Sequence, residues 1–128
     1  EATVDLAGGV ALGITGQAVQ GRAHENGSAL DDVPPQSVVL QIRKAFGARV
    51  SASARLAAVA RDRAPGPSEV ATPGYVEAGA AASWRTGRWL ELRASGSNLL
   101  NRRYDSSPSP RWVLAPGRSG ALTAIVRF

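Results

Sequence analysis

The sequence predicts an all-β fold, an antiparallel up-and-down transmembrane β-barrel segment of about seven strands. Three observations carry that prediction. Apolar and polar residues alternate with period two along seven separate stretches, as strand side chains do. The connections between these stretches alternate between tight glycine turns and long polar segments. The last stretch, Ser119 to Phe128, stops on an aromatic residue while still alternating. Soluble proteins blunt or cover such an edge, whereas a closed barrel pairs it.

The first stretch spans about 1–8, with Ala2, Val4 and Leu6 facing one way and Thr3 and Asp5 the other. The second, about 9–22, sets Val10, Leu12, Ile14, Gly16 and Ala18 against Thr15 and Gln17. The third, 37–46, sets Val38, Leu40 and Ile42 against Ser37, Gln41 and Arg43. The fourth, 48–61, sets Val50, Ala52, Ala54, Leu56, Ala58 and Ala60 against Arg49, Ser51, Ser53, Arg55 and Arg61. Alanine and arginine favour helices, but a helix over 48–61 would put Arg55 beside Val59 and Leu56 beside Arg63. The strand template separates charge from apolar residues more cleanly.

The fifth stretch, 75–86, opposes Val76, Ala78, Ala80, Ala82 and Trp84 to Glu77, Ser83 and Arg85. The sixth, 89–97, opposes Leu90, Leu92 and Ala94 to Glu91, Arg93, Ser95 and Ser97. In the last, Leu122, Ala124, Val126 and Phe128 share one face, and Ala121, Thr123, Ile125 and Arg127 share the other. The apolar faces are rich in alanine and glycine, and only 5% of the residues are aromatic. The force of the pattern therefore lies in the agreement of seven strands, since each barrel strand alone gives a weak signal.

Gly8-Gly9, Phe46-Gly47 and Thr86-Gly87-Arg88 read as hairpin turns. Residues 21–36, 62–74 and 98–118 are long and polar, broken by Asn26-Gly27, Pro34-Pro35, Pro65-Gly66-Pro67, Pro73-Gly74 and Pro116-Gly117. Short turns on one rim and long loops on the other describe an outer-membrane barrel, turns periplasmic and loops extracellular. With the terminal strand descending to the periplasm, Phe46, Trp84 and Phe128 all gather near the turn rim. That is where an interfacial aromatic girdle belongs.

The charge is +5, from 15 basic and 10 acidic residues. The arginines are scattered singly, which suits isolated solvated charges and argues against a nucleic-acid patch. Absence of cysteine excludes a disulfide framework and thiolate metal sites. There is no apolar run long enough for a transmembrane helix and no leader pattern at the start. The opening Glu1-Ala2-Thr3-Val4-Asp5 reads as mid-strand, so the expectation is a mature chain or a fragment.

Leu90-Glu91-Leu92-Arg93-Ala94-Ser95-Gly96-Ser97-Asn98-Leu99-Leu100-Asn101-Arg102-Arg103-Tyr104 resembles the penultimate strand and following loop of TonB-dependent outer-membrane receptors. Ala115-Pro116-Gly117-Arg118 and the final strand continue the likeness. An Asn-Leu-x-Asn-x-x-Tyr element, a Pro-Gly-Arg element and a terminal aromatic, in that order, are a fairly specific set. Leu30-Asp31-Asp32-Val33-Pro34-Pro35 and Pro73-Gly74-Tyr75 also resemble the family's loops and strand openings. The resemblance implies a barrel of about 22 strands with a plugged lumen, an amino-terminal plug domain, coupling to TonB, and a ligand such as a ferric siderophore, cobalamin, haem or a carbohydrate.

Residues 1–128 would then be a carboxy-terminal third or less of such a barrel in the bacterial outer membrane. Such a piece is not expected to transport anything alone. Its even-numbered faces would meet outer-membrane lipid, and Arg49, Arg55, Arg85 and Arg93 would line the lumen against the plug. By the same resemblance Leu122, Ala124, Val126 and Phe128 match the signal read by the barrel-assembly machinery. Asn98, Leu99, Asn101 and Tyr104 form the motif loop, and Pro116, Gly117 and Arg118 the entry to the last strand. Asn98 and Asn101 suit turns because their short side chains bond their own backbone. Arg118 is expected to pin the loop to a neighbouring carboxylate.

No enzyme, cofactor or metal site is expected. His24 stands alone beside Glu25 in a loop, and Asp31-Asp32 reads as an acidic turn before two prolines. Neither a nucleophile elbow nor a phosphate loop is present. Glu77 and Glu91 are candidates to face each other across a hairpin, in a lumen where such groups are common. Asn26-Gly27-Ser28 matches a glycosylation sequon, accidental in a bacterial protein. Two other readings remain open on sequence: a small self-contained outer-membrane barrel with a structural or adhesion role, and a soluble β-rich binding module.

Overall fold

A computed structural model describes residues 1–24, 27–105 and 113–128. It contains β1 (Ala2–Leu6), β2 (Val10–Gln17), β3 (Ser37–Phe46), β4 (Val50–Val59), β5 (Tyr75–Arg85), β6 (Leu90–Ser97) and β7 (Ser119–Val126). They form one sheet in chain order, each pair antiparallel. The path is up-and-down throughout. β1 and β7 are its two edges and do not pair with each other. No helix occurs among the described residues, and the alanine-rich stretch 48–61 holds strand β4.

Register preserves the alternation across the whole sheet. Val4 faces Leu12, Leu12 faces Ile42, Ile42 faces Ala54, and Ala54 faces Ala80. Ala80 in turn faces Gly96, which faces Gly120. Directly opposed residues project to the same side, so the even-numbered set shares one surface and the odd-numbered set the other. A slip of one residue in any pair would have mixed the two.

The two surfaces invert the order of a soluble sheet. Val4, Leu12, Ile42, Leu56 and Trp84 are all exposed, and Leu122 on the edge strand is 80% exposed. Among the described residues the buried side chains are Ala57 on the odd face, Glu91 and Asn98. A continuous open apolar surface of this extent marks a binding or membrane face. The buried side chains of the strands, Ala57 and Glu91, both lie on the polar side.

β2 ends at Gln17, well before the sequence-based limit of 22. Its last rung pairs Gln17 with Ser37, and Pro34-Pro35 just upstream lack the N–H groups needed to extend the ladder. β7 likewise stops at Val126, although the Arg127 N–H still bonds the Trp89 carbonyl at 2.8 Å.

All three short turns lie at one end. Gly8, Gly9 and Gly47 have φ of 76°, 73° and 67°, left-handed conformations that side chains disfavour. Arg49 sits in the turn before β4 and not on the strand as its period suggested; its carbonyl accepts the Arg85 N–H at 2.8 Å. Phe46, Val50, Trp84 and Leu92 make one apolar row beside these turns. Phe128 follows β7 at the same end.

Candidate functional site

The β6–β7 connection begins as a compact knot. Asn98 is 2% exposed and left-handed at φ 47°, a conformation asparagine tolerates. Its Nδ2 donates to the Arg102 carbonyl at 2.8 Å and to the Pro116 carbonyl at 3.0 Å. Its Oδ1 accepts the Arg102 N–H at 2.9 Å. Asn101, at φ 50°, closes a turn through its N–H on the Asn98 carbonyl, and its Oδ1 accepts the Arg118 N–H at 3.1 Å. One side-chain amide thus joins both ends of a long loop.

The other motif residues brace that knot. The Leu99 N–H bonds the Ala78 carbonyl at 2.8 Å, and its side chain folds back over Gly96. Pro116 supplies a carbonyl, and Gly117 passes close to Asn101 Oδ1. Arg118 acts through its backbone. Its side chain joins no ion pair among the described residues, so the expected carboxylate partner is replaced by an amide oxygen. Asn98, Leu99, Asn101, Pro116, Gly117 and Arg118 therefore meet in one place, although the two motifs lie at opposite ends of the loop.

Tyr104 leaves the knot and stacks on Tyr75 at the start of β5, centroids 3.8 Å apart and planes 10° from parallel. Burial, and then the negative charge of Glu77, hold the Tyr104 hydroxyl above the ordinary tyrosine pKa. Because Tyr75 is odd-numbered, this part of the loop lies over the polar face.

That face carries charge pairs. Arg55 Nη1 approaches Glu77 at 3.7 Å. Glu91 accepts from Arg93 Nε at 2.7 Å and from Arg127 Nη2 at 3.1 Å. The two glutamates do not face each other: Glu91 stands opposite Arg85, and Glu77 opposite Ala57. Each is committed to guanidinium, which leaves no acid–base pair. Ser51 with Ser83, and Ser97 with Ser119, bond across strands at 2.8 and 2.7 Å.

At the loop end, the β2–β3 and β4–β5 connections are clipped together. Asp31 Oδ1 accepts the Ser68 N–H at 3.0 Å. Glu69 accepts the Asp32 and Gly66 N–H groups, each at 2.8 Å. Gly66 is pressed against Asp31, where a Cβ would lie 2.6 Å from backbone atoms. In sequence Asp31-Asp32 reads as a local turn; nothing local reveals a carboxylate clamp spanning 37 residues.

Two cavities open at this end. One of about 970 Å³ is lined by the rung Gln17, Ser37, Val59 and Tyr75, by the residues on either side of it, and by Arg102 and Arg103. Another of about 470 Å³ lies between the clipped loops, with Arg22, Arg61, Arg63 and Asp62 in its walls. Gln36 and Ala60 line both. No cluster able to hold a metal occurs among the described residues. Asn26 of the sequon lies outside them.

No family model and no curated protein matches the sequence. Solved structures do match in fold. The copper transporter OprC superposes with a TM-score of 0.87 at 18% identity, over 98% of this chain and 22% of its own. The ferric enterobactin receptor PfeA of Pseudomonas aeruginosa, solved as a mutant, superposes with a TM-score of 0.79 at 20% identity, over 98% of this chain and 21% of its own. The chain thus spans about a fifth of either protein and has the antiparallel up-and-down strand arrangement found there. The first of these proteins is a transporter and the second a receptor.

Proposed function

We propose that this chain is the carboxy-terminal barrel segment of a TonB-dependent receptor in the bacterial outer membrane. The observation that carries the reading is the inside-out sheet: seven strands in register, apolar side chains exposed on one surface and carboxylate–guanidinium pairs on the other. The likeness in fold to two transport proteins supports it. So does the convergence of the Asn-Leu-x-Asn-x-x-Tyr and Pro-Gly-Arg motifs on one knot.

In this reading the even-numbered face contacts lipid, and Phe46, Trp84 and Phe128 anchor the periplasmic rim. The odd-numbered face lines a lumen filled by the plug domain of the complete protein. TonB energises uptake of a scarce nutrient, such as a ferric siderophore, through that plug. The segment alone performs no transport. Leu122, Ala124, Val126 and Phe128 present the terminal strand to the barrel-assembly machinery.

The test is made on the full-length protein, in the bacterium that encodes it. Deleting its gene is expected to abolish energised uptake of one member of a panel of labelled ferric siderophores and metal chelates. Restoring the gene restores uptake only while TonB is present. Unchanged uptake across the panel, or recovery of the protein from the aqueous fraction without detergent, overturns the reading.

A further inference from the structure

The acids and the arginines of the loop end are used in opposite ways. Asp31 Oδ1 and both oxygens of Glu69 accept backbone N–H groups of the loop clamp, and Asp62 Oδ1 accepts the Ala64 N–H at 3.0 Å. Among the described residues the ion pairs all belong to the wall: Arg55 with Glu77, and Arg93 and Arg127 with Glu91. Arg22, Arg61, Arg63, Arg102 and Arg103 join none of them. All five are exposed, and all five line the two cavities that meet at Gln36 and Ala60. Asp105, next along from Tyr104, pairs with none of these arginines either.

We infer that this joined cavity is a binding site for a small soluble polyanion, one bearing two or more carboxylate or phosphate groups. The inference rests on the receptor reading above and names the ligand class for its outward face. Guanidinium groups match such oxygens with paired, charge-assisted hydrogen bonds. A concave surface that sets five guanidinium groups against the single carboxylate of Asp62 also concentrates an anion before contact. The clamp between the two loops fixes Arg22 near Arg61 and Arg63, so little ordering is left for the ligand to impose. The larger cavity is centred on the lumen-facing rung at Tyr75, which makes it a mouth for a diffusible solute. An anionic lipid headgroup has the same chemistry but would reach the opposite face.

The test uses the full-length protein in detergent micelles, titrated calorimetrically with citrate and with tripolyphosphate. Maltohexaose serves as a neutral probe and micellar lipid A as an anionic headgroup. Binding of at least one soluble polyanion is expected, weakened by added salt and with no response to maltohexaose. The pairs Arg61→Gln/Arg63→Gln and Arg102→Gln/Arg103→Gln should each weaken it at least tenfold, and Arg61→Lys/Arg63→Lys should restore part of the loss. Absent polyanion binding, binding indifferent to both glutamine pairs, or binding confined to lipid A overturns the inference. A protein that binds polyanions through these arginines yet supports no energised uptake overturns the transport reading instead. A working transporter indifferent to them overturns the site alone.

Discussion

Tyr104 lies flat on Tyr75, ring centroids 3.8 Å apart, although the 28 intervening residues include the rest of β5 and all of β6. The stack ties the β6–β7 loop to the first residue of β5, over the polar face and beside the Arg55–Glu77 pair. The loop thereby covers part of the odd-numbered, polar face.

A double-mutant cycle on Tyr75→Ala and Tyr104→Ala should return a coupling of about 0.5–1.5 kcal/mol beyond the lost area, the range for aromatic pairs. Urea unfolding of the full-length protein in detergent measures it. Additive single effects would mean that the rings do not hold each other.

Asn98 has two separable roles, backbone conformation and side-chain bridging. Asn98→Gly keeps the left-handed backbone but loses three hydrogen bonds, and should cost about 1–3 kcal/mol. Asn98→Ala adds the left-handed penalty and should cost roughly 1 kcal/mol more than glycine. Equal unfolding midpoints for the two variants would show that the φ of 47° is relaxed in solution.

The fold was legible because period two fixes which face each residue takes, and seven stretches agreed in phase. Strand limits were less legible, as at Gln17, because a ladder needs a partner and the prolines at 34 and 35 removed it. The knot was half legible: Asn98 and Asn101 read as turn formers, but their bonds to Pro116 and Arg118 are long-range. The Asp31–Glu69 clamp left no trace in spacing, since its acceptors meet backbone N–H groups that every residue carries. Arg118 misled because charge suggested an ion pair where the backbone does the binding.

Glu91 holds Arg93 and Arg127 together beside the last turn, and so pins the end of β7 to β6. Arg127→Ala should fray that edge, and Arg127→Lys should restore part of the attachment. Hydrogen exchange at the amides of Ile125 and residue 127, which point to β6, reports it: faster in the alanine variant, intermediate in the lysine one. Unchanged exchange would show that the strand end is held by its ladder alone.

Phe128 is fully exposed and packs on nothing, so its value to the folded sheet is small. If the terminal aromatic serves recognition during assembly, Phe128→Ala should lower the amount of barrel inserted in cells while leaving the unfolding midpoint of purified protein unchanged. Pulse-chase appearance of the heat-modifiable form measures the first quantity. A variant that inserts at the normal rate would remove the assigned role.

Ala80 and Ala81 provide the sharpest contrast between the two faces. Both are exposed alanines at the middle of β5, alike in size and in backbone conformation. Ala80 shares its row with Ala54 and Gly96, on the face assigned to lipid. Ala81 shares its row with Ser53 and Ser95, on the polar face. Arginine on a lipid face near mid-bilayer costs about 2–4 kcal/mol, whereas arginine among serines in a wet lumen costs little. Ala80→Arg should therefore lower unfolding free energy in lipid vesicles by that amount, and Ala81→Arg by under about 1 kcal/mol. In a soluble protein the apolar face would need a covering partner, and both variants would then be read in water. Equal costs in vesicles, or the reverse order, would place hydrocarbon on neither face or on the wrong one.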